Sequence, residues 1–372
     1  MPTRLPIKDR FDDHAHSLSF PVFFTSSYDS RKDRKYRYSR ELNPTVEELS
    51  RQLSLLENTE RSICFSSGMG AITGTILALA KPGDKLVMPT DVFGRTYLFA
   101  KNFLTKFGIN VKFVEPGTDS LLGAVEEHAD IVFFESLSNP LLRLYDVDRI
   151  CRKASDIGAI TIVDNTLATP ILLKPSLYGC DIIIESLSKF IGGHNNAIGG
   201  SASGSLMMDT IDENRRSLGS SMDPMSAYLF ILGLKTIDLR IKRSSETAKA
   251  IARFLNENNF VSKVYYPGLS DNSDNISAKT LLNGSPPIVS FLLDEGKDVQ
   301  KFMESLRIIT PANTMGGSNS TISNPYTMSH RNLSEDEKLR LGITKNLMRL
   351  SVGLEDLDQI IQDLEQAIKY AQ

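Results

Sequence analysis

Short apolar runs separated by helical patterns occupy the chain from about residue 44 to about residue 206. The apolar runs predict β-strands at 86–88, 111–114, 131–134, 161–163 and 182–184. Strands that alternate with helices are typical of βαβ units and a mostly parallel sheet. Because ligands of such sheets bind beyond the carboxyl ends of the strands, the polar residues that follow these runs are the first candidates for function.

The segments that precede and follow this region have different patterns. Residues 1–43 are polar, irregular and rich in charge, which predicts an arm rather than a domain. Thr45 and Glu48 have the spacing of a capping box and predict that a helix begins here. A long helical pattern at 226–256 predicts a helix that links the large domain to a smaller one.

The last third of the chain mixes strand patterns with helical patterns. Strands are predicted near residue 264, at 288–293 and at 350–352, and helices at 297–305 and 355–371. This mixture is typical of a small α+β domain. We therefore predict three parts: an arm at 1–43, an α/β domain at 44–255 that includes the linking helix, and a C-terminal α+β domain at 256–372.

The composition excludes several classes of partner. The 372 residues are 41% hydrophobic and 23% charged, which is ordinary for a globular protein. With 42 Lys and Arg against 45 Asp and Glu, the net charge of −3 gives no electrostatic reason to bind nucleic acid or an anionic membrane. No apolar run approaches the ~18 residues of a membrane span, and the first residues lack the apolar region of a secretion signal. We therefore expect a cytoplasmic protein.

The three cysteines lack CxxC spacing and cannot all pair. For Cys64, Cys151 and Cys180 we expect buried free thiols in a reducing compartment. The sequence of residues 12–16, Asp-Asp-His-Ala-His, resembles a metal cluster, but His-x-His on a polar arm is usually solvated. We therefore expect no metal site.

Lys189 is the candidate that carries the most chemistry. It follows the apolar run 182–184 in the segment Ser-Leu-Ser-Lys, and Asp164 ends the preceding run. A lysine amine that forms a Schiff base, with a carboxylate beside the ring nitrogen, is what an enzyme needs to bind pyridoxal phosphate (PLP). Considered alone, Lys189 is also compatible with a solvated surface lysine.

Two further segments are suited to a phosphate group. Ser66-Ser67-Gly68-Met69-Gly70 opens a helix, where glycines allow close approach and free N–H groups favour an anion. Tyr38 and Arg40 combine a hydroxyl with a planar cation and would point the same way in an extended segment. The alternatives are a tightly packed helix start and a solvated basic arm.

Three other residues are candidates with a structural alternative each. Asn139, before Pro140, either begins a turn or donates a hydrogen bond to a cofactor ring. Phe93 either belongs to the core or stacks on a planar cofactor. Arg349 lies in an apolar strand pattern and needs a carboxylate partner, either a structural one or the α-carboxylate of an amino acid.

Taken in order, these segments resemble the Cys/Met-metabolism family of fold-type-I PLP enzymes, the transsulfuration enzymes. The resemblance extends from about residue 20 to about 370. It rests on Tyr-Ser-Arg-x-x-Asn-Pro-Thr, Ser-Gly-Met, Glu-Ser-x-x-Asn-Pro, Val-Asp-Asn-Thr, Ser-x-Ser-Lys and Arg-Leu-Ser-Val-Gly-Leu-Glu, at 38–45, 67–69, 135–140, 163–166, 186–189 and 349–355. The resemblance implies a large domain with a mostly parallel sheet flanked by helices, and a small C-terminal α+β domain.

The resemblance also implies a role for each candidate residue. Lys189 is the Schiff-base lysine and proton shuttle, and Asp164 pairs with the pyridinium nitrogen. The phosphate is held by Gly68, Met69, Ser186 and Ser188. Tyr38 and Arg40 reach the phosphate site of a neighbouring subunit, which implies a homo-oligomer, a dimer of dimers. Near the cofactor ring and the amino-acid substrate lie Asn139, Phe93, Arg349, Thr314 and Asn313.

Three positions depart from the family pattern. The stacking residue is usually a tyrosine whose hydroxyl moves protons, and Phe93 cannot titrate. Asn313 replaces a glutamate near the expected substrate pocket, whereas Thr314 keeps a hydroxyl. Leu98 stands where γ-synthases often have an arginine, and Arg95 lies three residues earlier. These departures concern the distal end of the substrate.

The implied reaction is γ-replacement or γ-elimination on homoserine esters or cystathionine-type substrates, as in cystathionine γ-synthase and γ-lyase. Cystathionine β-lyase, methionine γ-lyase and O-acetylhomoserine sulfhydrylase chemistry are the alternatives within the family. Outside it, the alternative is a PLP-binding protein without catalysis. The intact Lys189, Asp164 and Arg349 argue for an enzyme.

Overall fold

The computed structural model of the chain describes residues 17–29, 31 and 35–371. The candidate metal cluster at 12–16 lies outside the described residues. Within them, the chain before Pro44 has no helix or strand longer than an isolated bridge, between Ser27 and Tyr38. The described part of the arm is therefore irregular, as its polar sequence predicts.

The large sheet has seven strands in the order β1-β7-β6-β5-β4-β2-β3. Neighbours from β6 to β3 pair in parallel, and β7 is antiparallel to both of its neighbours. The predicted α/β fold with a mostly parallel sheet is confirmed. The strands are β1 Arg61–Phe65, β2 Lys85–Pro89, β3 Asn110–Val114, β4 Ile131–Glu135, β5 Ile160–Asp164, β6 Ile182–Glu185 and β7 Gly200–Gly204.

Helices cover both faces of this sheet. Alternate residues of β4 enter two separate cores, Val132 and Phe134 on one face and Ile131 and Phe133 on the other. Burial on both faces explains why the strand reads as a continuous apolar run. The helices are α1 Pro44–Glu57, α2 Gly68–Leu79, α3 Gly94–Asn102, α4 Thr118–Glu126, α5 Val147–Asp156, α6 Thr169–Leu172, α7 Met208–Leu218, α8 Pro224–Leu234 and α9 Ile237–Asn256, with 3₁₀ turns at Leu104–Phe107 and Pro175–Tyr178.

Strand β7, the second strand from the edge of the sheet, consists of small residues, Gly-Ser-Ala-Ser-Gly. Its backbone packs directly on the start of α2, because a Cβ atom at Gly200 would lie 2.7 Å from the Cα of Gly68. A strand without large apolar side chains has no hydrophobic pattern, so it was not predicted. Strand β1 was also missed.

Two helix predictions need correction. The side chain of Asn43, not that of Thr45, caps α1, since it accepts a hydrogen bond from the Thr45 backbone N–H. The Thr45 hydroxyl instead binds the arm, accepting from Phe23 N–H and donating to Pro21 C=O. The predicted single helix at 226–256 is two helices, because the chain turns at 235–236 between α8 and α9.

The second sheet has five strands in the order β10-β11-β12-β9-β8 and its own apolar core. Its mixture of strands and helices fits the predicted α+β character, while the exact division after residue 255 stays a prediction. The strands are β8 Val261–Tyr265, β9 Ile288–Leu293, β10 Thr310–Pro311, β11 Thr321–Ser323 and β12 Leu347–Ser351, and the helices α10 Asn275–Leu281, α11 Val299–Ser305, α12 Glu335–Leu341 and α13 Leu357–Tyr370.

The cysteines differ from the prediction of three free thiols. Cys151 of α5 and Cys180, just before β6, form a disulfide with a Cα–Cα distance of 5.5 Å. Only Cys64 is a free, buried thiol. The fold packs α5 against the 3₁₀ turn that precedes Cys180. A separation of 29 residues gives no sign of that contact in the sequence.

None of the described helices is both long enough and apolar enough to cross a bilayer.

Candidate active site

A cavity of about 330 Å³ lies at the carboxyl ends of β4, β5 and β6, where these strands face the second sheet. Parallel strands place their carboxyl ends at one edge, so residues distant in sequence meet there. Ten of the thirteen predicted site residues line this cavity: Gly68, Met69, Phe93, Asn139, Asp164, Ser186, Ser188, Lys189, Asn313 and Arg349.

Lys189 extends into the cavity from the turn that follows β6. Its Nζ makes only a long contact of 3.5 Å with the hydroxyl of Thr314. Burial, with a smaller effect from the positive charge of Arg349, lowers the pKa of the Lys189 amine to about 8. The uncharged amine, which is the form that acts as a nucleophile, is therefore much more abundant near neutral pH than it is for an ordinary lysine.

Asp164 is the last residue of β5 and also faces the cavity. Its Oδ1 accepts a hydrogen bond of 3.0 Å from the backbone N–H of Thr166. Burial raises the pKa of Asp164, and the hydrogen bonds from Thr166 partly oppose that effect. A cation placed against this carboxyl group would favour its charged form.

The start of α2 forms one wall of the cavity. The Ser67 side chain caps the helix by accepting a hydrogen bond from Gly70 N–H. The backbone N–H groups of Gly68 and Met69 belong to the first turn of this helix. Ser186 lies against this turn, because a Cβ atom at Gly68 would be 2.9 Å from the Ser186 Cβ. Free N–H groups at a helix N-terminus beside hydroxyl groups favour a phosphate.

Ser188 differs from Ser186 in its hydrogen bonding. Its hydroxyl group accepts from Gly199 N–H at 2.9 Å and makes a longer contact with Gly199 C=O. The Ser188 side chain therefore ties the Lys189 turn to the chain before β7 as well as lining the cavity.

Arg349 enters from β12 of the second sheet and is only 2% exposed. Its Nη1 donates to Asn139 Oδ1 at 2.7 Å and its Nη2 to Thr314 C=O at 3.3 Å. Within the described residues no carboxylate forms an ion pair with Arg349, and its buried Nε has no partner. A buried guanidinium without a counterion is costly, so this group is suited to an anionic ligand.

Phe93 and Asn313 line the cavity, and Thr314 contacts Lys189 although it is not among the lining residues. Arg95 is exposed, and Leu98 packs against the apolar core under α3. In this structure neither Arg95 nor Leu98 lines the cavity.

Tyr38 and Arg40 lie outside the cavity of their own chain. They occupy a turn rather than the extended segment that was predicted, since Glu41 N–H donates to Tyr38 C=O at 2.9 Å. The two side chains remain neighbours, with the guanidinium 5.6 Å from the Tyr38 ring centre. Both are partly exposed, and Arg40 donates to the backbone oxygen of Arg216.

Several cavity residues were not assigned a role from the sequence. Glu135 and Thr166 belong to quoted motifs without a role of their own, and the sequence indicates no role for Met315 or Ser329. Glu135 could have been found, because a carboxylate that ends a fully apolar strand is as unusual as Asp164. Ser329 arrives from the loop before α12, and no local pattern distinguishes it.

The arrangement fits the PLP group that the resemblance implies. The free N–H groups of α2 and Ser186 are suited to a phosphate, Asp164 to a protonated ring nitrogen, and Lys189 to a covalent link. Gly68 leaves no room for a side chain beside Ser186, as close approach of a ligand to the backbone requires. We conclude that the donor set matches the cofactor.

Comparisons with known proteins agree with this site. A family profile described as "Cys/Met metabolism PLP-dependent enzyme" matches residues 5–369. Cystathionine beta-lyase of Lactococcus lactis is 34% identical over 359 residues, which cover 95% of this chain and 94% of that protein. Cystathionine gamma-lyase of Bacillus subtilis is 33% identical over 365 residues, which cover 96% of each chain.

A solved structure extends the similarity to the fold. Cystathionine gamma synthase from Xanthomonas oryzae, in complex with aminoacrylate and cysteine, superposes with a TM-score of 0.95 at 32% identity. The match covers 99% of this chain and 97% of that one. The three relatives have names for three different reactions, at nearly equal identity.

Proposed function

Because the chain belongs to the Cys/Met-metabolism family of PLP-dependent enzymes, we propose that it catalyses γ-replacement or γ-elimination on a homoserine ester or a cystathionine-type substrate. The cofactor is pyridoxal 5′-phosphate, and the protein is a transsulfuration enzyme that acts on sulfur amino acids. The observation that carries the proposal is the buried Arg349, which needs an anion that the described chain does not supply.

Each residue has a distinct task in this proposal. Arg349 binds the α-carboxylate of the amino acid through its planar fork and so turns the α-carbon toward Lys189. The uncharged Lys189 amine removes the proton from the α-carbon and, once it has passed that proton on, removes a proton from the β-carbon so that the γ-substituent can leave with its bonding electrons. Asp164 holds the proton on the ring nitrogen of the cofactor. When bound, PLP supplies the electron sink that stabilises the charge left by this proton transfer.

β-Elimination is the second candidate, and one observation favours it. Phe93 lines the cavity at the position where the family resemblance implies a tyrosine whose hydroxyl assists proton transfers, and it carries no titratable group. β-Elimination needs only the first proton transfer, which Lys189 performs alone. The same pocket would then release pyruvate rather than 2-oxobutyrate from cystathionine.

A product screen separates these reactions. Purified enzyme is incubated with cystathionine, with methionine, and with acylated homoserines plus cysteine, and the products are identified by mass spectrometry. We expect cystathionine from the acylated homoserines or 2-oxobutyrate from cystathionine. Pyruvate as the sole product would establish β-elimination. If the PLP-loaded protein converts none of these substrates, the alternative of a PLP-binding protein without catalysis is supported instead. The Lys189→Ala variant is the control for background reactions.

We also propose a homo-oligomeric enzyme, a dimer of dimers. In the two-fold pair, Tyr38 and Arg40 of one subunit complete the phosphate site of the neighbour. The motivation is that the pair is partly exposed and does not line its own cavity, while that cavity already has its own donors for phosphate. A cytoplasmic location remains a prediction from the sequence.

A further inference from the structure

Glu135 is a buried carboxyl group in the cavity for which the proposed reaction has no use. It ends β4, is 4% exposed and lines the cavity. In the parallel pairing of β4 with β5 its partner is Asp164. Paired residues of adjacent parallel strands face the same side at the strand spacing of about 4.8 Å. The two carboxyl groups are therefore close neighbours.

Only one of the two carboxyl oxygens of Glu135 accepts a hydrogen bond within the described residues. Its Oε1 accepts the backbone N–H of Phe93 at 2.5 Å. Its Oε2 is buried and, within the described part of the chain, has no hydrogen-bond partner. In that same part no lysine or arginine forms an ion pair with Glu135. One oxygen is thus committed to Phe93, and the other lies buried without a cation paired to it in the described residues.

The burial of Glu135 and the negative charges around it all raise the pKa of its carboxyl group. Burial is the largest effect, and the negative charges of Asp164 and Asp91 add to it, so the pKa of Glu135 lies well above its ordinary value. Asp91 is itself held by Arg143 at 3.2 Å and by the Tyr145 hydroxyl at 2.6 Å. The backbone N–H groups of Phe93 and Asn139 oppose the shift without reversing it.

Phe93 depends on this contact for its position. It is the N-cap residue of α3, and its side chain cannot cap the helix as a polar residue would. Its C=O accepts from Tyr97 N–H at 3.0 Å, and its own N–H is bound by Glu135. Ser329 C=O packs against Gly94 on the other side, so the turn is clamped between β4 and the loop before α12.

We propose that Glu135 is a positioning residue: its carboxyl group, kept uncharged, holds the backbone of Phe93 and thereby the ring that closes the cavity over the cofactor. The neutral form leaves Asp164 as the single negative charge at the ring nitrogen. A second carboxylate beside Asp164 would also attract the proton of the ring nitrogen. The position of that proton would then be less well defined. The inference rests on PLP binding and does not depend on which sulfur amino acid is the substrate.

Two variants of the PLP-loaded enzyme test the hypothesis. Glu135→Gln keeps an oxygen acceptor for Phe93 N–H and is neutral, whereas Glu135→Leu has similar bulk and no acceptor. We expect E135Q to retain most of the turnover and the visible circular dichroism of the cofactor. We expect E135L to change that dichroism, to release PLP faster on dilution and to lose roughly 10- to 100-fold in kcat.

A paired variant shows whether Glu135 acts through Phe93. If it does, Phe93→Leu and Glu135→Leu affect the dichroism and PLP release less than additively in the double variant, since residues that act together are coupled. Infrared difference spectra of the wild type against E135Q at neutral pH should contain the band of a protonated carboxyl group. This comparison needs only the conservative variant and so does not depend on the folding of E135L.

Three results would overturn the inference. The first is an E135Q enzyme as inactive as E135L with normal dichroism, which would make Glu135 a proton donor. The second is additivity of the two leucine substitutions. The third is an ionised carboxylate band for Glu135. Dichroism and PLP release are measured without substrate. Their results therefore test the role of Glu135 independently of the proposed reaction.

Discussion

At the scale of single residues, the cavity concentrates ionisable groups that lack counterions. Burial lowers the pKa of Lys189 to about 8 and that of Arg349 to about 10. Within the described residues neither forms an ion pair with a carboxylate. Groups perturbed in this way are typical of sites that receive charge from a ligand. A phosphorylated cofactor and an amino-acid carboxylate would supply that charge.

Asp164 provides the sharpest test at this scale. Asp164→Asn removes the charge that holds a proton on the ring nitrogen but keeps the shape of the side chain. We expect turnover to fall by several orders of magnitude, while the cofactor stays largely bound through Lys189 and the phosphate donors. Turnover is measured beside cofactor absorbance. Asp164→Glu, which keeps the charge, is the matched control, and near-normal turnover of the asparagine variant would refute the role.

Most individual site residues could be predicted because they follow strand ends or helix starts. Asp164 and Lys189 each come after an apolar run, and Gly68 and Met69 begin a helix. Ser329 could not be predicted, since it reaches the cavity only through the packing of the second sheet. That Arg349 has an unpartnered Nε and no ion pair within the described residues could be recognised only from the structure. A sequence does not show which carboxylates lie far from Arg349.

At the scale of elements, α1 and β6 bring two carboxyl groups into the core. Glu57 at the end of α1 and Glu185 at the end of β6 are both buried, and neither oxygen of Glu57 has a hydrogen-bond partner among the described residues. Burial raises the pKa of Glu57 to about 8, opposed in part by Lys174. The negative charge of Glu57 in turn adds to the raised pKa of Glu185.

This pair should make stability depend on pH. The folded state keeps the Glu57 proton up to about pH 8, whereas an unfolded glutamate releases it near its ordinary value of about 4.3. The free energy of unfolding therefore falls as the pH rises between these values. Glu57→Gln should remove that loss, adding on the order of 4 kcal/mol at pH 8 and little at pH 4.5.

Thermal unfolding of both proteins across this pH range measures the effect. Glu295→Gln, at an exposed position, is the matched control and should shift neither curve. An equal effect of Glu57→Gln at both pH values would mean that Glu57 does not titrate between them.

Strands and helices could be predicted from the sequence where burial alone determined the pattern of hydrophobic residues. The five predicted strands of the large sheet all exist, with ends that differ by one residue or less at each boundary. The break between α8 and α9 was missed because residues 235–236 interrupt the helix without proline or a strong polar signal. The Asn43 cap was missed because Thr45 is needed by the arm, a tertiary contact that outweighs the local motif.

At the scale of the whole molecule, the arm is anchored to its own chain, whereas the side chains of Tyr38 and Arg40 are partly exposed. Arg215 of α7 donates to the backbone oxygens of Arg40 and Glu41, and Ser221 donates to Arg40 C=O. The backbone at Arg40 is thus tied to its own chain. The side chains of Tyr38 and Arg40 are partly exposed, with Arg40 donating to Arg216 C=O, and in the proposed dimer they would contact the neighbouring subunit.

Mixing two inactive variants tests whether the site is shared. Lys189→Ala and Arg40→Ala subunits are mixed under conditions that exchange them. If Arg40 completes the neighbour's site, each hybrid dimer contains one intact site, and about a quarter of all sites become active at equal mixing. Activity is measured against subunit exchange followed by mass spectrometry. Hybrids that form without any activity would show that the arm serves its own chain.

The small strand β7 has a consequence for anyone who redesigns this protein. Its Gly-Ser-Ala-Ser-Gly sequence is a poor strand by intrinsic preference, so a stabilising redesign would exchange it for valine or isoleucine. At Gly200 that exchange would push Gly68 and the start of α2 away from the cavity. A variant improved by strand preference at this position would lose stability at the contact with α2 as well as the shape of the cavity, so residue 200 should stay fixed in any variant library.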